Sequence, residues 1–499
     1  MREDLKRFFE LLDEIAVYKR CIGKINFDMS CLAPKEAMDE ISSDIAVLGQ
    51  HLYKLSHSDE YTKLLLSIHN DTTGLSPIQK KAIEHLYNDY EKEKNFTPEF
   101  SYECDLAFSK AYSSWLQAKE KNDYSLFKDS FKQIIDLTKK SIDLRDNKKE
   151  SYYDTLLNDY EEGGNSKQLD CFFNSLKETI VPLLKKIVAQ GKPIRSEFLS
   201  RPCSISKQEA FSKYLMDIQG LRRDALVFTT TEHPFTDNFG PHDVRVTTHF
   251  YEDNFVSNIF STLHEGGHAM FMQNEPTEMY ENHNSDRMSS AMHECISRFY
   301  ENIIGRSKEF IHFIYPKFIE IGADTFSDVS ENELYEAVNI AAPSLIRIES
   351  DELSYSIHIM IRYELEKMFI NGEISVDDIP DKWNEKYKEY LGIDVPNDAS
   401  GCLQDVHWSG SYGYFPSYAL GNAYGAQILN TMNKDFDVFE AVKNGKLDLI
   451  ADWLKNKVYA KASLLSPDEW IKDITGESLN VKYYLDYLVE KFTKLYELN

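Results

Sequence analysis

The sequence contains little cysteine, and its cysteines follow no pairing pattern. There are 7 among 499 residues, and no two of them form a Cys-x-x-Cys pair. Small secreted proteins that are held by disulfides carry even, closely spaced sets, so this pattern argues against a disulfide framework. We expect reduced thiols and a cytoplasmic protein. The cysteines are Cys21, Cys31, Cys104, Cys171, Cys203, Cys295 and Cys402.

The sequence also has few basic residues and no long hydrophobic run. Lysine and arginine number 56 against 82 aspartates and glutamates, which gives a formal net charge of −26. Such an acidic chain is poorly suited to bind nucleic acid or an anionic membrane, so we expect neither partner. No apolar run approaches the ~20 residues that span a bilayer. The charged opening at residues 1–6 does not resemble a signal peptide.

Helical periodicity dominates what is present. Apolar residues recur at helical spacing, with short polar breaks, and strand signal is sparse. The best strand candidate runs from Asp243 to Phe250 and could pair with an extended peptide at the edge of a cleft. Without repeats or a long linker, we expect one domain over residues 1–499, in which residues 1–230 form a helical covering half and residues 231–499 a catalytic half. The predicted helices are 1–20, 36–56, 76–93, 103–120, 124–144, 166–192, 206–221, 297–321, 331–339, 344–371, 436–455 and 479–497.

The most informative motif is His264-Glu265-Gly266-Gly267-His268. On a helix, histidines four residues apart lie on one face, where one metal ion can bind both imidazoles. The glutamate between them can then act as general base for a bound water, as in zinc hydrolases. The flanking segment 254–272 has the pattern of a buried helix that is capped by Asn254 or Ser257. The alternative is a pair of core histidines that bind neighbouring side chains.

The two glycines of this motif are unusual in a helix interior. Each costs about 1 kcal/mol relative to alanine. We therefore expect Gly266 and Gly267 to lie where a substrate or another backbone comes close.

A zinc site of this kind needs a third protein ligand and an open fourth position. The best candidate is Glu294, which follows His268 by 26 residues, enough for a loop and the start of a second helix. His293 is a competing candidate. Neighbouring residues on a helix point about 100° apart, so we expect only one of the two to bind the metal.

Two further segments could carry chemistry. In the predicted helix 344–371, the residues Arg347, Asp351, Ser354 and His358 form a polar stripe. This stripe could line a cavity, or it could contain a simple Arg347–Asp351 ion pair within the helix. The sequence leaves both alternatives open.

The second segment is the Gly- and Tyr-rich stretch 401–418, which has the composition of a loop. Loops that carry histidine and aromatic residues often contact substrate. A histidine or tyrosine here, such as His407 or Tyr418, could donate a hydrogen bond to a tetrahedral oxyanion. The alternative is a packed aromatic loop without a role in catalysis.

Six ordered motifs within residues 230–430 resemble those of the carboxypeptidase Taq family of metallocarboxypeptidases. Two departures, Cys295 for serine and Ser350 for alanine, involve no candidate ligand. The upstream 230 residues resemble the family in helical pattern only. The six are His233–Phe235 (HPF), Asp243–Thr247 (DxRxT), His264–His268 (HExxH), His293–Arg298 (HESxSR), Ile346–Asp351 (IRxxAD) and Gly401–Trp408 (GxxQDxHW).

The resemblance implies a mostly α-helical fold with a deep active-site cleft, a small β-sheet at the cleft wall, and a homodimer. It implies a metallocarboxypeptidase that releases amino acids sequentially, with broad specificity, from peptides with a free C-terminus. One Zn²⁺ per chain is implied, and Co²⁺ can replace it. The implied metal ligands are His264, His268 and Glu294, with Glu265 as general base. The implied substrate-binding residues are Arg245, Arg347, Asp243, His233, Gln404 and Asp405, and either arginine could hold the terminal carboxylate.

In the expected mechanism, zinc and Glu265 deprotonate a water, and Glu265 then passes the proton to the leaving amine. Zinc, with His407 or Tyr418, stabilises the oxyanion. Two other functions stay open at this point. One is a zinc endopeptidase or oligopeptidase of related helical architecture, which would also cut peptides with an amidated C-terminus. The other is a non-catalytic helical interaction protein, which would bind no metal.

Overall fold

The computed structural model describes residues 2–498. Within that range the chain forms 21 α-helices, several short 3₁₀ turns and one three-stranded sheet. The mostly helical fold with a small sheet is therefore confirmed, while the deep cleft stays a prediction. No helix in the described range is long and apolar enough to cross a membrane.

Nine helices precede the sheet, and most of them match the predicted ones. Their starts follow capping chemistry: Ser76 and Gln79 form a capping box at a helix that begins with Pro77. The helices Asp59–Asn70 and Tyr152–Tyr160 were not predicted. The nine are α1 (Glu3–Cys31), α2 (Met38–Ser56), α3 (Asp59–Asn70), α4 (Pro77–Glu93), α5 (Pro98–Lys121), α6 (Ser125–Asp143), α7 (Tyr152–Tyr160), α8 (Ser166–Gln190) and α9 (Ile205–Gln219).

The sheet contains β1 (Leu226–Thr230), β2 (Thr236–Asn238) and β3 (Val244–Thr248) in the order β1-β3-β2. The predicted strand is β3, which pairs parallel to β1 and antiparallel to β2. Because β3 is the central strand, its edges are occupied by its own neighbours. The prediction that this strand pairs with an extended peptide is therefore wrong.

Twelve helices follow the sheet. The predicted helix 297–321 is interrupted by a π-helical segment, Phe299–Ile304, and the predicted helix 436–455 is two helices. The predicted helix 344–371 begins only at Tyr355. The twelve are α10 (Phe255–Asn274), α11 (Thr277–Glu281), α12 (Ser290–Arg298), α13 (Lys308–Phe326), α14 (Glu331–Ala337), α15 (Tyr355–Asn371), α16 (Ile379–Leu391), α17 (Pro416–Met432), α18 (Val438–Lys443), α19 (Leu447–Lys457), α20 (Pro467–Thr475) and α21 (Lys482–Leu495).

The buried apolar side chains form two clusters. The larger one runs from α5 to α21 and contains residues on both sides of residue 230, such as Leu176 and Leu263. The smaller cluster joins α1, α3 and α4, with Phe8 and Leu65 fully buried in it. The expected division of the chain near residue 230 stays a prediction, and the main hydrophobic core extends across that point.

Candidate active site

Helix α10 carries the two histidines and the glutamate of the central motif. Its start is capped as expected, since the Asn254 side chain accepts a hydrogen bond of 3.3 Å from the Ser257 amide. His264 and His268 lie one turn apart on the same face, with ring centroids 5.0 Å apart. Both rings point Nε2 toward α12.

The glycines of the motif allow α10 to pack closely on its neighbours. A Cβ atom on Gly267 would lie 2.7 Å from the backbone Cα of Ser297 in α12. A Cβ atom on Gly266 would lie 2.3 Å from the side-chain amide oxygen of Gln219. The expectation that another backbone approaches here is confirmed at Gly267, and this contact brings α12 against the two histidines.

Glu294 of α12 completes a group of three ligand-type side chains. Its Oε2 lies 3.8 Å from His264 Nε2 and 3.7 Å from His268 Nε2. The ligand atoms of the three residues all lie within 4.8 Å of one another. Two imidazoles and one carboxylate are donors that zinc prefers, and ligands of a tetrahedral zinc stand roughly 3.3–3.5 Å apart. The donor set and its spacing therefore suit a divalent metal ion.

The competing candidate, His293, is not part of this group. Its Nδ1 lies 2.6 Å from His268 Nδ1, on the side of the ring that faces away from Glu294. Burial and the neighbouring His293 ring lower the pKa of His268 well below its usual value, which favours a neutral imidazole.

Further carboxylate and guanidinium groups surround the three side chains. Glu301 Oε2 lies 2.8 Å from His264 Nδ1, while Arg298 donates to Glu294 Oε1 (2.7 Å) and to Glu301 Oε2 (3.1 Å). Burial alone would lower the pKa of His264, but Glu294 and Glu301 outweigh it and raise that pKa. Glu301 lies in the π-helical segment, a feature that recurs at functional sites.

The carboxyl of Glu265 is buried and, within residues 2–498, has one hydrogen-bond partner. Thr236 of β2 donates to Glu265 Oε2 across 2.7 Å, which links the sheet to α10. Burial raises the pKa of Glu265, and the charge of His264 and the Thr236 hydrogen bond partly oppose this rise.

The Arg347 side chain is buried in a second charged cluster. Its Nε and Nη2 lie 2.9 and 2.7 Å from Asp405 Oδ1, and its Nη1 donates to the Tyr355 hydroxyl at 3.2 Å. Arg362 donates to the other oxygen of Asp405 at 2.6 Å. The alternative of a simple Arg347–Asp351 pair is excluded, because Arg347 pairs with Asp405 and Asp351 accepts hydrogen bonds from the amides of the turn that precedes α15.

Gln404 and Asp405 both contact the segment that carries Arg347. Gln404 Oε1 accepts from the Arg347 backbone amide (3.2 Å), and its amide group donates to the carbonyl of Leu345 (2.8 Å). These contacts hold the chain at the start of a short 3₁₀ turn, Arg347–Glu349, which explains why the predicted helix starts late.

The Arg347 cluster and the ligand-type group are in contact through Tyr355. The guanidinium of Arg298, which bonds Glu294, lies 4.3 Å from the centre of the Tyr355 ring. The Tyr355 hydroxyl accepts from Arg347. No sequence motif indicated this bridge, because Tyr355 lies outside all six of them.

His407 and Tyr418 lie beside the same cluster. His407 Nε2 is 3.4 Å from the Tyr418 hydroxyl, and the Arg347 guanidinium lies 5.3 Å from the centre of the Tyr418 ring. Burial lowers the pKa of His407 to about 4 and raises that of Tyr418 well above its usual value. Both side chains are therefore neutral near pH 7. The segment 401–418 is less loop-like than expected, since Trp408 and Phe415 are buried and Tyr418 lies in α17.

Three other predicted substrate-binding residues, Arg245, Asp243 and His233, lie in or beside the small sheet. Arg245 of β3 binds Asp243 through Nε (2.9 Å), and its guanidinium lies about 5 Å from the ring centres of Phe27 and Phe239. Asp243 also pairs with Lys24 of α1 at 2.7 Å. His233 is exposed in the turn between β1 and β2. The contacts of Arg245 within residues 2–498 thus do not include the ligand-type group.

Comparison with known proteins agrees with this geometry. A family model described as carboxypeptidase Taq (M32) metallopeptidase matches residues 7–492. Carboxypeptidase 1 of Bacillus subtilis (strain 168) is 40% identical over 496 residues, with 99% of each chain covered. Thermostable carboxypeptidase 1 of Thermus thermophilus is 33% identical, with 94% of each chain covered. The crystal structure of an M32 carboxypeptidase from Deinococcus radiodurans R1 has a TM-score of 0.96, at 29% identity and 100% coverage of both chains. The chain therefore belongs to the carboxypeptidase Taq (M32) family, and it is a metallocarboxypeptidase rather than the endopeptidase or non-catalytic protein that the sequence left open.

Proposed function

We propose that this protein releases amino acids one at a time, with broad specificity, from the free C-terminus of peptides. One zinc ion, which cobalt can replace, is held by His264, His268 and Glu294. The observation that carries this proposal is the convergence of two Nε2 atoms and one carboxylate oxygen beside the buried Glu265. Three protein ligands leave a fourth position for water or substrate.

Glu265 is the general base and then the general acid. When bound, the metal ion supplies a Lewis acid that makes a water acidic and polarises the scissile carbonyl. Because Thr236 binds Oε2 of Glu265, Oε1 can accept the proton of the attacking water. The same carboxyl then donates this proton to the leaving amine.

Arg347 holds the terminal carboxylate of the peptide. A guanidinium has five N–H donors, of which Nε donates to Asp405 and Nη1 donates to Tyr355, while Nη2 lies 2.7 Å from Asp405. Each terminal nitrogen has two N–H groups and so keeps at least one for the substrate, and a guanidinium can bind a carboxylate through two parallel bonds.

The charge balance around Arg347 supports the same role. Arg347, Arg362 and Asp405 are each at most 7% exposed, and together they carry a net charge of +1. A buried excess charge is costly unless a partner neutralises it. The terminal carboxylate of a substrate supplies that partner, whereas Arg245 is more exposed than Arg347 and its charge costs less without a further partner.

The oxyanion forms next to neutral hydrogen-bond donors. His407 and Tyr418 keep a proton that they can donate near pH 7, and neither carries a charge that would need a counterion. We assign one of them to the developing oxyanion. Gln404 and Asp405 act through Arg347, whose position they hold, while Asp243 and His233 contribute from the sheet side.

Two properties stay predictions. The homodimer rests on the family resemblance. The cytoplasmic location rests on the cysteine pattern, with which the seven free thiols agree.

A Glu265→Gln variant tests the assignment of the base. The amide keeps the shape of the side chain but cannot take up the proton, so kcat should fall by ~10²–10⁴-fold while zinc stoichiometry stays at one per chain. The control is Glu278→Gln, an exposed glutamate on α11, which should keep full activity. Substantial turnover by Glu265→Gln would overturn the assignment.

A further inference from the structure

We propose that Asp286 is a positioning residue of the metal centre, which acts on His268 through the imidazole of His293. This inference rests on the proposed function, since it takes His268 to be a metal ligand. It gives a role to the loop between α11 and α12, which no sequence motif covers.

Three side chains form a continuous polar chain that starts at His268. His268 Nδ1 lies 2.6 Å from His293 Nδ1, and His293 Nε2 lies 3.2 Å from Asp286 Oδ1. The half-buried His293 ring packs against Phe271, with ring centroids 5.2 Å apart. His293 Nε2 donates no hydrogen bond of good geometry to any group among residues 2–498. The acceptor that the structure places beside it is Asp286 Oδ1, at 3.2 Å.

The direction of the hydrogen bonds follows from what a metal ligand requires. His268 must present a lone pair on Nε2, so its ring proton is on Nδ1. That proton can only be donated to His293, whose Nδ1 must therefore be the acceptor. The ring proton of His293 is then on Nε2 and points to Asp286. An acceptor-only carboxylate at this position selects the arrangement in which His268 can bind metal.

The other proposed ligand, His264, is supported by a carboxylate in direct contact. Glu301 Oε2 lies directly beside His264 Nδ1 at 2.8 Å. A carboxylate thus stands behind each histidine, in direct contact at His264 and through one intervening imidazole at His268. Carboxylates behind ligand histidines fix the ring orientation and commonly contribute 10–100-fold to metal affinity.

Two hydrogen bonds hold the loop that carries Asp286. Arg287 donates to Asp89 of α4 at 2.8 Å, and the backbone amide of Asp286 donates to the Glu275 carboxylate at 3.2 Å. His283 Nε2 lies 3.1 Å from Asp13 of α1, but the Asp13 side chain is 75% exposed, so this surface pair contributes little to the order of the loop. Helix α4 thus contributes to the metal centre although it carries none of its ligands.

The experiment compares two glycine substitutions in this loop. Asp286 and His283 both have left-handed backbone angles, with φ of 57° and 56°, which glycine adopts without strain. Asp286→Gly removes the carboxylate and keeps the backbone. His283→Gly removes a side chain of the same loop that is outside the polar chain. Zinc affinity is measured by competition with a chromophoric chelator, together with the thermal unfolding of each metal-free variant.

We expect Asp286→Gly to weaken zinc binding by about 10–100-fold. His283→Gly should change zinc binding less than threefold, and the metal-free variants should unfold at similar temperatures. Asp286→Asn, which retains a neutral acceptor, should give an intermediate affinity. The Co²⁺-loaded Asp286→Gly variant should show an altered visible absorption spectrum, because the His268 ring is no longer fixed.

Equal losses of affinity in the two glycine variants would overturn the proposal, since loop order rather than the carboxylate would then be responsible. Unchanged affinity and spectrum in Asp286→Gly would also overturn it. Failure of the proposed function is a distinct result, because the unmodified protein would then fail to bind zinc.

Discussion

The hydroxyl of Thr236 donates a hydrogen bond of 2.7 Å to the carboxylate of Glu265, and so connects the small sheet to the centre of the site. Thr236 is the first residue of the short strand β2 and directly follows the motif His233–Phe235. The sheet therefore has a specific function in this account: it orients the general base.

This relationship predicts the behaviour of Thr236→Val, which keeps the side-chain shape and removes the donor. We expect kcat to fall about tenfold with little change in KM, since a hydrogen bond to a charged group contributes roughly 1.5–3 kcal/mol. The bond stabilises the ionised carboxylate, so its loss raises the pKa of Glu265. The acid limb of the pH profile of kcat/KM should then move to higher pH. The control is Thr230→Val at the exposed end of β1, and an unchanged profile in Thr236→Val would contradict the role of the hydroxyl.

Arg347→Lys tests the recognition of the terminal carboxylate. Lysine retains the charge but loses the two parallel bonds, so kcat/KM for peptides with a free C-terminus should fall by about 100-fold. The already slow cleavage of C-terminally amidated peptides should change much less. Arg245→Lys is the matched control, because that guanidinium is paired with Asp243. If Arg245→Lys gave the larger selective loss, the carboxylate would be assigned to Arg245 instead.

Gly267→Ala tests the close contact of α10 with α12. The added methyl would lie 2.7 Å from a backbone atom of Ser297, which cannot move without shifting α12. We expect a loss of about 1–3 kcal/mol in the free energy of unfolding, measured in urea, and weaker zinc binding. Gly49→Ala on α2 is the control, since its added methyl meets nothing within 4 Å and should stabilise the helix by up to ~1 kcal/mol. Similar stability of the two variants would argue against the contact.

The buried carboxyl of Glu366 makes the free energy of unfolding depend on pH. Burial raises the pKa of this carboxyl to about 8, well above the value near 4.3 in an unfolded chain. Between these values the folded protein binds the extra proton, so the contribution of Glu366 to stability is lost as pH rises through this window.

The Glu366→Gln variant cannot titrate at this position. Its free energy of unfolding should therefore depend less on pH between pH 5 and 8, by up to ~1.4 kcal/mol per pH unit. Urea unfolding at several pH values measures this slope. The control is Glu36→Gln at an exposed position, which should show the same slope as the unmodified protein. If Glu366→Gln also showed the slope of the unmodified protein, the prediction would be refuted.

The sequence was most informative where chemistry follows local spacing. Two histidines four residues apart predicted a shared helix face, and two glycines between them predicted a close approach of another backbone. The sequence favoured Glu294 over His293 as the third ligand but could not decide between them. Which of the two side chains faces the histidines depends on how α12 is rotated against α10. Glu301 could have been found, since it follows Glu294 by seven residues and so lies on the same side of a helix.

The errors arose where tertiary contacts override local pattern. The polar stripe of 344–358 has helical spacing, yet Arg347 is held outside the helix by Asp405 and Gln404, which lie about 57 residues further along the chain. Asp286 and Thr236 could not be predicted, because each reaches the site through a loop or strand whose register depends on the whole fold.

The most direct test of the central claim is the mass-spectrometric analysis of one defined peptide after incubation with the purified protein. The peptide is offered with a free and with an amidated C-terminus, with and without a chelator. We expect a ladder that loses one C-terminal residue at a time from the free peptide only. The ladder should stop with chelator and return with zinc or cobalt. Internal cleavage, or equal cleavage of the amidated peptide, would contradict the central claim.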